Sequence, residues 1–241
     1  MESGERLTIC CSRGRCGLIL EVETVQRKRV LCFGDSNTWG YIAEGPQGSY
    51  VLRHPWGVRW PSVVAEVLGD DYEVLEDGCN GRTTGFEDPR TPGRNGLAYL
   101  EENLESMLPV DIAIVALGIN DVKPDICGSV AGSSEAMSAV LDRLTASGIS
   151  DVLLILPAGL SENVFSPPFD ADFGVEGIVE LAQDLRVAYS NLAASRYIPV
   201  LDAADIVTLS RDGLHMTADG HLALGKAVAA AIAGWHRQEA R

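Results

Sequence analysis

Five short apolar runs, at 30–33, 72–76, 111–117, 151–156 and 197–201, alternate with segments whose apolar residues recur at helical spacing. Apolar runs of this length, bounded by turn residues, read as strands buried on both faces. Helical spacing occupies 60–68, 96–107, 134–147, 175–195 and 217–235, the last opened by Thr217 as N-cap. Strands that alternate with helices specify a parallel sheet, because each parallel crossover must travel back over a face of the sheet. The expected class is therefore α/β, three layers deep, on a five-stranded parallel sheet. At 241 residues the chain suits one such domain, and no internal repeat or long linker divides it.

Gly34-Asp35-Ser36 follows the first run, Val30-Leu31-Cys32-Phe33, directly. A serine on the turn leaving a parallel strand points out of the sheet at its carboxyl end, where open α/β sheets place their ligands. A hydroxyl needs a base to act as a nucleophile near neutral pH. The chain has four histidines, His54, His215, His221 and His236. Only His215 has a carboxylate three positions before it, Asp212. One turn of chain can bring Asp212 to one ring nitrogen of His215 and leave the other for Ser36. Asn80-Gly81 and Gly118-Ile119-Asn120-Asp121 also stand just past apolar runs. Read on their own, Gly81 and Asn120 could equally be ordinary turn formers. Asp35 and Asp121 suit a structural role, accepting nearby backbone N–H groups, and Arg82 suits an ion pair with a neighbouring acid.

These blocks, in this order, resemble the SGNH (GDSL) hydrolases, serine esterases on a flavodoxin-like sheet. The stretches Leu31-Cys32-Phe33-Gly34-Asp35-Ser36-Asn37-Thr38-Trp39-Gly40, Gly81-Arg82-Thr83-Thr84 and Leu117-Gly118-Ile119-Asn120-Asp121 resemble the bacterial arylesterase/acyltransferase branch. Asn37 stands where the motif usually has Leu, and Ile119 where it often has Thr. The resemblance implies Ser36, Asp212 and His215 as the catalytic triad. It implies an oxyanion hole from the backbone N–H of Ser36, the backbone N–H of Gly81 and the amide of Asn120. It further implies short acyl esters, of aryl alcohols or acetylated sugars, with transfer to alcohols as well as to water, no cofactor and no metal. Two other readings compete: a metal-dependent hydrolase using Asp35, Asp121, Asp212 and His215, and a non-catalytic ligand-binding module on the same fold.

The formal net charge is −15. An acidic surface repels phosphate backbones and anionic lipid, so neither nucleic acid nor membrane is an expected partner. No apolar run is long enough to span a bilayer. Residues 1–29 differ, with six Lys/Arg against four Glu and three of the six cysteines, Cys10, Cys11 and Cys16. The expected division is an N-terminal extension at 1–28, outside the core, and a hydrolase domain at 29–241. No secreted disulfide framework is legible, so a reducing, cytoplasmic setting is expected. Residues 40–58 and 157–174 are irregular and hold Tyr41, Trp56, Phe165, Phe169 and Phe173. Both leave the carboxyl edge of the sheet, so both should overhang the site. Their aromatics would wall a pocket, fill the core or meet a second subunit in a homo-oligomer.

Overall fold

Each apolar run forms a strand of the sheet that the pattern requires. The computed structural model describes residues 5–12, 15–22, 27–43 and 52–239, with side chains described at 27–43 and 52–235. Strands β1 (Glu5–Ser12) and β2 (Arg15–Val22) pair antiparallel as a two-stranded sheet of their own. Five parallel strands follow: β3 (Lys28–Gly34), β4 (Tyr72–Gly78), β5 (Ile112–Ala116), β6 (Asp151–Leu156) and β7 (Val200–Asp202). Their spatial order is β4-β3-β5-β6-β7. The chain therefore steps to one side of β3 and then to the other. The crevice at such a reversal, outside the carboxyl ends of β3 and β5, is the natural ligand position.

The helices are α1 (Ser36–Trp39), α2 (Trp60–Leu68), α3 (Gly96–Met107), α4 (Val130–Ala146), α5 (Asp170–Phe173), α6 (Ile178–Ser195) and α7 (Ala218–Glu239). Successive strand side chains point to opposite faces, so each strand feeds two cores. Leu31, Phe33, Val115 and Leu154 pack with Leu100, Leu141 and Tyr189 of α3, α4 and α6. Val30, Cys32, Ile114 and Ile155 pack with Val64 of α2 and Val228 of α7. Burial on both faces is why these strands read as continuous apolar runs rather than as alternating ones.

Register sets the site. Gly34 of β3 lies opposite Gly78 of β4 and Ala116 of β5, so the three strands end level. The residues that follow them emerge on one edge together. Gly34 must be glycine because a Cβ there would overlap the Thr38 hydroxyl and the Ala116 carbonyl. Its bareness lets α1 start immediately above the sheet.

Several element bounds shift from the sequence expectation, two of them by several residues and with a local cause. Tyr197 has φ +56° and lies almost fully exposed, so the run at 197–201 opens as a turn and β7 begins only at Val200. Helix α4 starts at Val130, before the expected 134, because the Ser129 hydroxyl accepts from the Gly132 N–H and caps it.

Candidate active site

Ser36 opens α1, the four-residue helix held at its start by Asp35, whose carboxylate accepts the Asn37 N–H at 2.9 Å. His215 lies on the turn before α7. Its Nε2 stands 2.9 Å from Ser36 Oγ, and its Nδ1 stands 2.6 Å from Asp212 Oδ2. The backbone N–H groups of Leu214 and His215 donate to the other Asp212 oxygen, each at 3.0 Å. Burial alone would raise the Asp212 carboxyl, but the His215 ring and those two N–H groups hold it below the usual carboxylate range. With Nδ1–H donated to Asp212, Nε2 is left as the acceptor for the Ser36 hydroxyl. All three side chains are buried.

The other two blocks converge on the same serine. Ser36, Gly81, Asn120 and His215 line one cleft of about 260 Å³. Gly81, at φ +74°, presents main chain there without a side chain. Asn120 Nδ2 donates to the Arg82 carbonyl at 3.1 Å, which orients the amide and, among the described residues, leaves its second hydrogen unspent. The Ser36 and Gly81 N–H groups have no acceptor among the described residues. Donors already fixed and unspent beside a serine hydroxyl are what an oxyanion would require.

The remaining polar residues brace this edge. Arg82 donates to the Gly34 carbonyl at 3.1 Å and to the Asp77 carbonyl at 2.6 Å, and pairs with the Asp77 carboxylate at 2.8 Å. Its guanidinium lies over Phe33 and Tyr99, with ring centroids 4.4 and 4.6 Å away. Asp121 accepts the Thr84 N–H at 2.8 Å and the Ser133 hydroxyl at 2.6 Å. The Tyr189 hydroxyl then reaches Ser133 Oγ at 2.8 Å and Thr84 Oγ1 at 3.2 Å. Burial raises the Asp121 carboxyl to about 6 and the Asp35 carboxyl to about 7. Asp35 and Asp121 thus serve turns, as expected for such residues. Among the described residues, no three His, Cys, Asp or Glu side chains cluster as metal ligands.

The long loops divide. Tyr41 stacks on the His215 ring at 4.2 Å, and Phe169 tilts against it at 5.3 Å. Phe173 is buried and borders the cleft from the core. Trp56 and Phe165 are exposed and do not line the cleft. The part of the first loop at 44–51 lies outside the described residues, as do the side chains of Cys10, Cys11, Cys16 and His236. His221 is fully buried on α7, its ring 5.0 Å from that of His54. Cys79 is half-buried and accepts from Arg94 Nη1 at 3.2 Å.

Sequence reasoning gave Asn37 no chemical role, yet it grips both neighbours of His215. Its Nδ2 donates to the Leu214 carbonyl at 3.3 Å, and its Oδ1 accepts the Met216 N–H at 2.9 Å. The Ser133–Tyr189 brace was also missed. No local spacing signals a contact between α4 and α6.

Residues 32–223 match the model of the GDSL-like lipase/acylhydrolase family. Among solved structures, the chain is similar to the M. smegmatis aryl esterase, with 34% identity and a TM-score of 0.78, covering 86% of this chain and 99% of that one. It is also similar to a carbohydrate acetylesterase from Sinorhizobium meliloti, with 34% identity and a TM-score of 0.80, covering 87% of this chain and 100% of that one. A lipase/acylhydrolase from Enterococcus faecalis shares the fold, at 21% identity and a TM-score of 0.64, covering 86% of this chain and 96% of that one. No curated protein matches.

Proposed function

We propose, from the premise that this chain belongs to the GDSL-like lipase/acylhydrolase family and is an SGNH-type serine ester hydrolase, that it cleaves short-chain acyl esters of aryl alcohols or acetylated carbohydrates through an acyl-enzyme on Ser36. The observation that carries the reading is the unbroken chain from Asp212 through His215 to Ser36, at 2.6 and 2.9 Å. His215 Nε2 takes the Ser36 proton as Oγ attacks the ester carbonyl. Asp212 holds the imidazole in the required tautomer and stabilises the imidazolium that forms. The carbonyl oxygen becomes an oxyanion and receives the N–H of Ser36, the N–H of Gly81 and the free hydrogen of the Asn120 amide. His215 returns its proton to the leaving alkoxide. A water molecule, deprotonated in turn by His215, then releases the acid.

Tyr41 and Phe169 cover His215 and dry one side of the cleft. That supports capture of the acyl-enzyme by an alcohol in competition with water. The catalytic unit starts at Lys28, one residue before the expected 29, because Lys28 of β3 already pairs with Tyr72, whereas β1 and β2 form a sheet of their own. The described cysteines Cys32, Cys79 and Cys127 are free thiols, which supports a reducing, cytoplasmic setting. Among the described residues, no helix is long and apolar enough to cross a membrane.

The test is hydrolysis of 4-nitrophenyl acetate by the chain and by Ser36→Ala. The reading requires turnover in the first, insensitive to a chelator, and near-complete loss in a folded variant. Retained activity in Ser36→Ala removes it.

A further inference from the structure

The cleft before Ser36 is not walled by apolar groups alone: Arg94 and Lys123 border it as well. Arg94 precedes Asn95, whose side chain caps α3 by accepting the Ala98 N–H. The Arg94 carbonyl accepts the Thr83 N–H at 2.9 Å, so the main chain there is tied to the strand-end block. The side chain runs beside Gly81. A Cβ placed on Gly81 would meet Arg94 Cδ and Nε at 3.9 Å.

Among the described residues the guanidinium in this position is unspent: Arg94 Nε is buried without a hydrogen-bond partner, and Nη1 meets the Cys79 sulfur, a weak acceptor. Among the described residues, Arg94 pairs with no carboxylate, whereas Arg53, Arg59, Arg82 and Arg90 each do. A half-buried cation left unpaired in a chain of net charge −15 is costly and unusual. Lys123 adds a second cation. It is 7% exposed, lies over the Phe173 ring at 5.0 Å, and has Asp172 at 3.8 Å, beyond hydrogen-bond reach. The acids bordering the same cleft are already engaged. Asp172 pairs with Arg90 at 2.7 Å, and Asp88 accepts the Arg90 and Thr91 N–H groups at 2.8 and 3.3 Å.

We infer that Arg94 is a specificity residue that binds a carboxylate carried by the ester substrate close to its scissile bond, with Lys123 adding to the positive potential. The inference rests on the esterase reading of the same cleft and narrows its substrates to anionic esters. A guanidinium offers two parallel N–H groups to a carboxylate, a match that a neutral hydroxyl or amide cannot reproduce.

Two pairs of aryl acetates test it: 3- and 4-acetoxybenzoate against 3- and 4-acetoxybenzamide, which differ in charge at one ring position. The expected result is a preference of about tenfold or more in kcat/KM for at least one benzoate, lost at high salt and expressed mainly in KM. In Arg94→Gln that ratio falls to about one, and in Arg94→Lys part of it returns. A residue that merely supports the fold would lower both substrates together and leave the ratio unchanged, which overturns the inference. Calorimetry of the same ligands on Ser36→Ala reads affinity without turnover. Equal affinity for benzoate and benzamide forms overturns it too. Turnover of 4-nitrophenyl acetate with no preference rejects the anion site alone, whereas no turnover of any ester rejects the esterase reading.

Discussion

At the scale of single residues, catalysis turns on where hydrogens sit. Asp212→Asn would give Nδ1 of His215 an amide hydrogen to face, favouring the wrong tautomer; kcat should fall by several orders of magnitude with the fold intact. Near-normal turnover would remove Asp212 from the mechanism. Asn120→Ala should lower kcat by about 10²–10³ with little change in KM, because its free hydrogen is used only when charge develops on the carbonyl oxygen. A change confined to KM would make Asn120 a positioning residue. Asn37→Ala cuts both ties to the residues flanking His215. A misplaced base should lower kcat by roughly ten- to a hundredfold while phosphonate labelling of Ser36 slows in parallel. The contact of Ser36, His215 and Asp212 could be anticipated from the sequence because residue type, order and spacing all point to it. Asn37 could not, because what its amide holds lies 177 and 179 positions away.

At the scale of elements, burial decides what titrates. His221 of α7 is fully buried, and its Nδ1 faces the Trp60 N–H of α2 at 3.4 Å. Burial first, then the nearby His54, His215 and Arg59, push its pKa down to about 3. The unfolded chain binds this proton below pH about 6.5, while the folded chain refuses it until about 3. Stability contributed by neutral His221 is therefore complete above that range and is lost as pH falls through it, by up to about 1.4 kcal/mol per pH unit. In His221→Gln, urea denaturation at pH 5 and 7.5 should show a smaller difference between the two pH values than the parent chain shows. An equal or larger difference would contradict the assignment. Tyr189→Phe removes the hydroxyl shared by Ser133 and Thr84, at an expected cost of about 1–2 kcal/mol by the same method. The bounds of α2, α3 and β6 match those that periodicity dictates, because turn residues or caps close each of them. Helices α1 and α5 span one turn, too short for any period to appear. The Tyr189 brace between α4, α6 and the Thr84 turn depends on how whole elements stack, which no local window records.

At the scale of the molecule, exposed aromatics pose the remaining question. Trp56 of the first long loop is 58% exposed and Phe165 of the second is 42% exposed. Such groups on loops beside a cleft suit a contact between copies of the chain, and we propose a homo-oligomer whose loops narrow the cleft mouth. Light scattering at micromolar concentration should give a multiple of 25.8 kDa, and a monomer mass would reject it. Overall architecture was readable from the sequence because strand–helix alternation permits so few solutions. Subunit number was not, because a wet aromatic and an interface aromatic look the same along a chain. Whether Ser36 is the nucleophile is decided by the intact mass of the chain after reaction with a serine-directed phosphonate. One adduct per chain is expected, located by peptide mapping at Ser36 and absent from Ser36→Ala. An adduct on another serine, or none in a chain that still hydrolyses esters, would contradict it.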